Sequence, residues 1–354
     1  MAAKDQRSDG VPRAALREIL RAWGSSRRWS DILAAAYFRG DAQALHARVA
    51  DLLAAARYAE EEDFAIPEDA GDAGEAFRLE HSLITGEEME RWLDHCGISL
   101  EEFEAHFASR VLAARFTAQL EEIRRDYAPA GNEVVDGMWT AAILSGSFEA
   151  FTVSFARRVA TRVGANTAAG DSAIALALHQ GAPRVPEMLR APGLLEELAA
   201  LEVRYAVAED EVASAARCAA ELRDRAYQLA RIVVAEAVFP LPDQASEAYQ
   251  GVTADGLGLE EVARRAGVEL TVRTLFAEDA PEGAVPLFSA LPGQVLEPEA
   301  VEGGFLLRCL LRRIEPDLSD PDVTARVRER LLALHFDALV AAHVTWSFDP
   351  WTVT

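Results

Sequence analysis

The sequence predicts an α+β protein, mainly helical at first, with a small βααβαββ region and a last helix that packs back on the helical part. Three observations predict it. Ala, Leu, Glu and Arg dominate the 354 residues, and these favour helix. Apolar residues recur at helical spacing through the first half of the chain. Dense β-branched runs enter only after about residue 226. Half of the residues are hydrophobic, so a sizeable core is expected. The length suggests several domains: helices and an acidic linker over 1–75, a helical region over 76–204, a mixed region over 205–316, and a C-terminal helix over 317–354.

The elements follow in order. Residues 12–59 read as two or three short helices, from the spacing of Leu16, Ile19, Leu20 and Trp23 and of Leu45, Val49, Leu52 and Leu53. The acid-rich, Gly- and Pro-containing stretch 60–75 reads as a linker. Thr85 with Glu88, and Ser99 with Glu102, are paired capping-box signals for a helical hairpin that Gly97 divides. Its apolar faces are Met89, Trp92, Leu93 and Cys96, then Phe103, Phe107, Val111, Leu120 and Ile123. Residues 126–200 continue as helices broken near 129–131, 164–170 and 183–192.

Residues 228–239 read as a buried strand that ends at Pro240, followed by helices at 242–254 and 258–266. Leu270, Val272, Thr274 and Phe276 alternate as in a half-buried strand. A turn-rich piece and a short helix lead to Gly303-Gly304 and a last apolar strand broken only by Arg308. Asp320 then caps a helix with Pro321 at its first position and Val323, Val327, Leu331 and Leu334 on one face.

A formal net charge of -23 argues against nucleic acid or an anionic membrane surface as partner. Cys96, Cys218 and Cys309 are far apart, form no CxxC pair, and read as reduced buried thiols. No signal-peptide core and no membrane-length apolar run occurs, so a cytoplasmic location is the expectation. HExxH, P-loop and G-x-S-x-G patterns are missing, and His335 and His343, eight apart, are too distant to share a metal without a third ligand. No cofactor and no metal is expected.

The stretches "GLGLEEVARRAGV" and "PLFSALPGQVLEPEAVEGGFLLRCLLRRIEP" resemble the parvulin-type peptidyl-prolyl isomerase domain. The first resembles that family's helix, and the second its Pro-Gly turn, loop and final G-h-H-h-h strand, where h is hydrophobic. Residues 77–116 are similar to the helical chaperone segment of bacterial SurA- and PrsA-like foldases. The resemblance implies a chaperone-like helical part and a parvulin-like domain. A weaker link runs to parvulin-related proteins of peptide maturation.

The resemblance also implies catalytic residues, and this chain departs from the pattern. The family's paired strand histidines fall on Ile232 and Leu306, both apolar, and no histidine occurs from 180 to 334. The family's Cys or Asp position falls near Ala266-Gly267, where neither is present. Phe276 and Phe288 are left as candidates to line an apolar groove, beside Ile232 and Leu306. The expected function is therefore a non-catalytic chaperone or peptide-binding protein. Its partners would be an unfolded or precursor peptide and a modifying enzyme. Two alternatives stand beside it. One is a slow isomerase that desolvates the imide and lowers a barrier of about 18–20 kcal/mol. The other is a helical adaptor, which an absence of the sheet would favour.

Overall fold

The computed structural model describes residues 16–65, 69–161 and 170–352. The chain divides into two compact units, residues 1–210 with 335–354, and residues 211–334.

The first unit begins with a hairpin of β1 (Glu18–Ala22) and β2 (Ser25–Arg28). Among the described residues the α-helices that follow are α1 (Trp29–Arg39), α2 (Gln43–Glu61), α3 (Asp69–Glu80), α4 (Gly86–Cys96), α5 (Leu100–Arg115), α6 (Leu120–Asp126), α7 (Gly131–Leu144), α8 (Ser147–Ala160), α9 (Asp171–Gly181) and α10 (Leu194–Val212). The acidic stretch expected as a linker is helical from Asp69 onward. The long second helix of the hairpin breaks at 116–119, and Leu112 rather than Val111 is the buried residue near its end.

The expected helix around Leu16–Trp23 is instead the hairpin, and the reason is local. Trp23 and Gly24 both have positive φ (56° and 76°), as the two-residue turn of a tight hairpin requires. β1 also finds a second partner, because β7 (Val344–Trp346) pairs with it antiparallel in the order β2-β1-β7. Leu20 is paired on both sides and the Ile19 carbonyl accepts from the Ser347 and Phe348 N–H groups, while both side chains are completely buried.

Helix α1 is buried almost all round, from Trp29 through Phe38, as befits the central helix of its unit. Its core joins Trp139 of α7, Phe148 and Phe151 of α8, and Phe348 of the C-terminal tail. Both capping boxes form as the spacing predicts. Glu88 N–H donates to Thr85 Oγ1 at 3.2 Å, and Thr85 N–H donates back to Glu88 at 2.8 Å. Ser99 and Glu102 repeat this at 3.1 and 2.7 Å, and Gly97 takes the left-handed stop between them. Accepting the Thr85 backbone N–H holds the Glu88 carboxyl below its ordinary range.

In the second unit, α11 (Ala215–Asp224) leads into β3 (Arg231–Phe239), α12 (Pro242–Thr253), α13 (Leu259–Ala266), β4 (Leu270–Phe276), β5 (Glu299–Val301) and β6 (Gly304–Ile314). The strands form one antiparallel sheet in the order β4-β3-β6-β5. This sheet removes the ground for the all-helical alternative. Helices α12 and α13 cover one face. The short helix expected after β4 is 3-10 (Ala277–Asp279 and Glu282–Phe288), since Pro286 has no N–H to give an α-helical bond. β4 is an outer strand, so Val272 is mostly exposed rather than half-buried.

Gly303 and Gly304 turn β5 into β6, with φ of 89° and 150°. A Cβ on Gly304 would lie 2.3 Å from the Phe239 carbonyl oxygen. Gly304→Ala is therefore expected to cost about 2 kcal/mol in urea unfolding, combining backbone strain with a clash against main chain. Wild-type stability in that variant would show that the hairpin tolerates a side chain there.

The last helix, α14 (Pro321–His343), starts on Asp320, whose Oδ1 accepts the N–H groups of Asp322 and Val323. Val323 and Val327 pack with Cys218 and Leu229 in the second unit, whereas Leu334 is exposed. The end of α14 belongs to the first unit, where Phe336 stacks on Tyr205 at 4.5 Å and Val340 packs on the helical core. None of the described helices is long and apolar enough to cross a membrane.

Candidate functional site

The sheet of the second unit holds three of the four residues singled out from the sequence, Ile232, Phe276 and Leu306, and Phe288 lies in the 3-10 segment that packs on it. Along β3, Ala235, Ala237 and Phe239 face α12 and α13, together with Leu307 and Cys309 of β6. Ile232, Val234, Glu236 and Val238 take the opposite face. Leu310 keeps the regular alternation opposite Val234, and a bulge in β6 between the partners of Val233 and Val234 leaves Leu311 unpaired and exposed.

On this second face the apolar end is closed by the 3-10 segment. Ile232, Val234 and Leu310 pack with Leu287, Phe288 and Ala290. A cavity of about 180 Å3 opens beside them, lined by Ile232, Phe288, Tyr227 and Arg313 among others. The Tyr227 ring lies 6.5 Å from that of Phe288 and is largely exposed, an aromatic edge to the cavity. Arg313 donates to the Ala290 carbonyl at 2.6 Å and fixes the loop at the cavity rim.

Two of the four candidates, Ile232 and Phe288, are therefore brought together. Phe276 is not with them. It packs near Val323 and Val327, under the guanidinium of Arg326 at 4.0 Å and that of Arg231 at 5.2 Å. Leu306 is also apart, paired with Val238, whereas Ile232 pairs with Arg313. The two positions on which the sequence resemblance would place histidines, Ile232 and the Leu306 partner Val238, thus stand six residues apart along β3, roughly 20 Å at strand spacing. They do not face each other across the sheet. Phe276, Phe288 and Leu306 pack in different places, Phe276 beside Val323, Phe288 beside Ile232 and Leu306 opposite Val238.

Between the two ends lies a feature that was passed over in the sequence. Glu236 and Arg308 are opposite one another in register and both are buried. Arg308 Nε donates to Glu236 at 2.9 Å, Arg273 of β4 approaches the other Glu236 oxygen at 3.3 Å, and Arg308 also pairs with Glu299 of β5. The network spans all four strands. Gly283 is packed so closely on Glu299 that a Cβ there would collide with the carboxylate. The signal for it was present: Glu236 and Arg308 each interrupt an apolar run, and a buried charge needs a partner.

Cys309 faces the helices, and burial pushes its thiol above the ordinary range. Burial likewise pushes Cys96 up to about 12, and all three cysteines are free and buried. Among the described residues no group of His, Cys, Asp and Glu is placed to hold a metal ion.

The two sheet margins differ. The β6 margin is covered by β5 and by Gly293–Leu296, whose backbone bonds to Arg308 and Leu310 at 2.7 to 2.9 Å. The β4 margin carries no such cover among the described residues, and Thr271 through Thr274 are exposed. Leu275 of β4 pairs with Ile232 and packs into the same apolar cluster, so the open margin ends beside the cavity.

No protein-family model and no curated protein matches the chain. Among solved structures it is weakly similar to the crystal structure of PrsA from Bacillus subtilis, at 12% identity and a TM-score of 0.20. That match covers 58% of this chain and 84% of the other.

Proposed function

We propose that the second unit binds an extended polypeptide, as a chaperone or peptide-binding module without isomerase catalysis. The observation that carries this reading is the uncovered margin of β4 beside the Ile232–Phe288 cavity. An outer strand offers unpaired N–H and C=O groups, and a client adds to it as a further strand. The adjacent cavity then takes one apolar side chain of the client, with Tyr227 closing over it. A chain of net charge -23 suits neutral or basic clients. A precursor peptide awaiting modification is the narrower client class.

Hydrogen exchange of the amides in 270–276, with reduced and carboxymethylated α-lactalbumin as the unfolded client, tests it directly. Slowed exchange at β4 is expected, and Phe288→Ala is expected to weaken binding about tenfold, as for a buried aromatic anchor. Saturating client that leaves β4 unprotected would sink the strand-addition reading. A protease-coupled proline-turnover assay decides the catalytic question, because turnover lost in Phe288→Ala would make the protein a slow isomerase.

A further inference from the structure

The helical unit contains a second cavity, of about 580 Å3, that the sheet reading does not use. Its volume is in the range of small-ligand sites, which combine apolar walls with a few polar groups. Four aromatic residues line it: Phe148, Trp346, Phe348 and Trp351. Its charged lining residues are the acids Glu149 and Asp349, with His95 the single basic type and no Lys or Arg.

These polar groups are not equally available. Both oxygens of the Asp349 carboxylate are engaged in its own turn, by the Trp351 N–H at 2.9 Å and the Thr352 hydroxyl at 2.8 Å. The His95 Nε2 is 2.7 Å from the Asp349 carbonyl oxygen. Glu149, exposed in the first turn of α8, has no ion pair and no side-chain hydrogen bond among the described residues. The aromatic cluster already accommodates one cation, since the Arg17 guanidinium lies 4.0 Å from the centre of the Phe348 ring.

The cavity also continues. A neighbouring one of about 440 Å3 shares Gly146, Glu149 and Val153 with it and runs along α8 toward Tyr205. The arginines at that far end are already paired, Arg157 with Asp337 and Arg158 with Glu202. Glu149 is thus the unneutralised charge at the junction of an elongated, aromatic-walled groove.

We infer that this groove along α8 binds a polypeptide segment carrying a lysine or arginine flanked by apolar residues. The basic head pairs with Glu149, its alkyl stem lies on the rings, and the flanking apolar side chains fill the cavity on either side. This site belongs to the first unit and stands independently of the β4 reading.

The test uses the full chain with acetyl-Ala-Leu-Lys-Leu-Ala-amide, its glutamate counterpart and n-butylamine as a free amine. Binding is followed by calorimetry and by tryptophan fluorescence, which Trp346 and Trp351 in the wall should report. The lysine peptide is expected to bind, with the glutamate peptide and butylamine each at least about tenfold weaker. Glu149→Gln should weaken the lysine peptide about three- to fivefold, the size of an exposed ion pair. Val153→Trp fills the junction and should abolish binding while helical circular dichroism is retained. Equal binding of the lysine and glutamate peptides, or of butylamine and the lysine peptide, overturns the inference. So does unchanged affinity in Glu149→Lys.

Discussion

Replacing Arg308 by methionine is expected to destabilise the second unit by about 3–5 kcal/mol. The substitution leaves the Glu236 carboxylate buried with only Arg273 beside it, and the Arg273 side chain is mostly in solvent. An uncompensated buried charge loses far more than the pair contributed while intact. The paired replacement Glu236→Leu with Arg308→Met should therefore regain most of the loss, because it removes both charges and fills the space with apolar side chains of similar size. Hydrogen exchange of the β3 and β6 amides is the measurement. All six tryptophans lie in the first unit, so fluorescence would not report this change faithfully. A double variant as unstable as the single one would show that the network holds the sheet by geometry rather than by charge balance.

Trp29→Ala is the second large effect, about 3–5 kcal/mol, and it falls on the first unit. Trp29 is 1% exposed and opens α1. Its ring meets Trp139 edge-on at 5.4 Å and is stacked with Phe148 at 5.5 Å and Phe151 at 6.4 Å. Truncation removes the shared partner of three rings and opens a cavity that helices fixed at both ends cannot close. Urea unfolding followed by the remaining tryptophans should show the midpoint fall, whereas Trp29→Phe should lose less than half as much. A loss below about 1 kcal/mol would mean that the helices relax into the space.

Much of this architecture was legible in the residues. The α4–α5 hairpin was readable because Thr85–Glu88, Ser99–Glu102 and Gly97 act within a few residues of one another. The β3–α12–α13–β4 order was readable from β-branched density and from Pro240, which cannot continue a strand. The β1–β2 hairpin was not, because Ile19, Leu20 and Trp23 fit a helix face equally well and β7 lies more than three hundred residues away in sequence. Ile232 and Leu306 were assigned by motif position and Phe276 and Phe288 as apolar groove residues; one of each, Ile232 and Phe288, packs over the same sheet face, whereas Phe276 and Leu306 fall elsewhere.

The sequence by itself determined the helix caps, the strand runs and the glycine turn at Gly303-Gly304. Each is a property of one residue or of neighbours within a turn. Tertiary structure alone decided that Glu236 meets Arg308 and that, among the described residues, β4 is an uncovered margin and Glu149 has no partner at an aromatic groove. Those facts depend on strand register and on which distant segment covers a surface. Register is set by the summed packing of a whole face, and no local pattern encodes that sum.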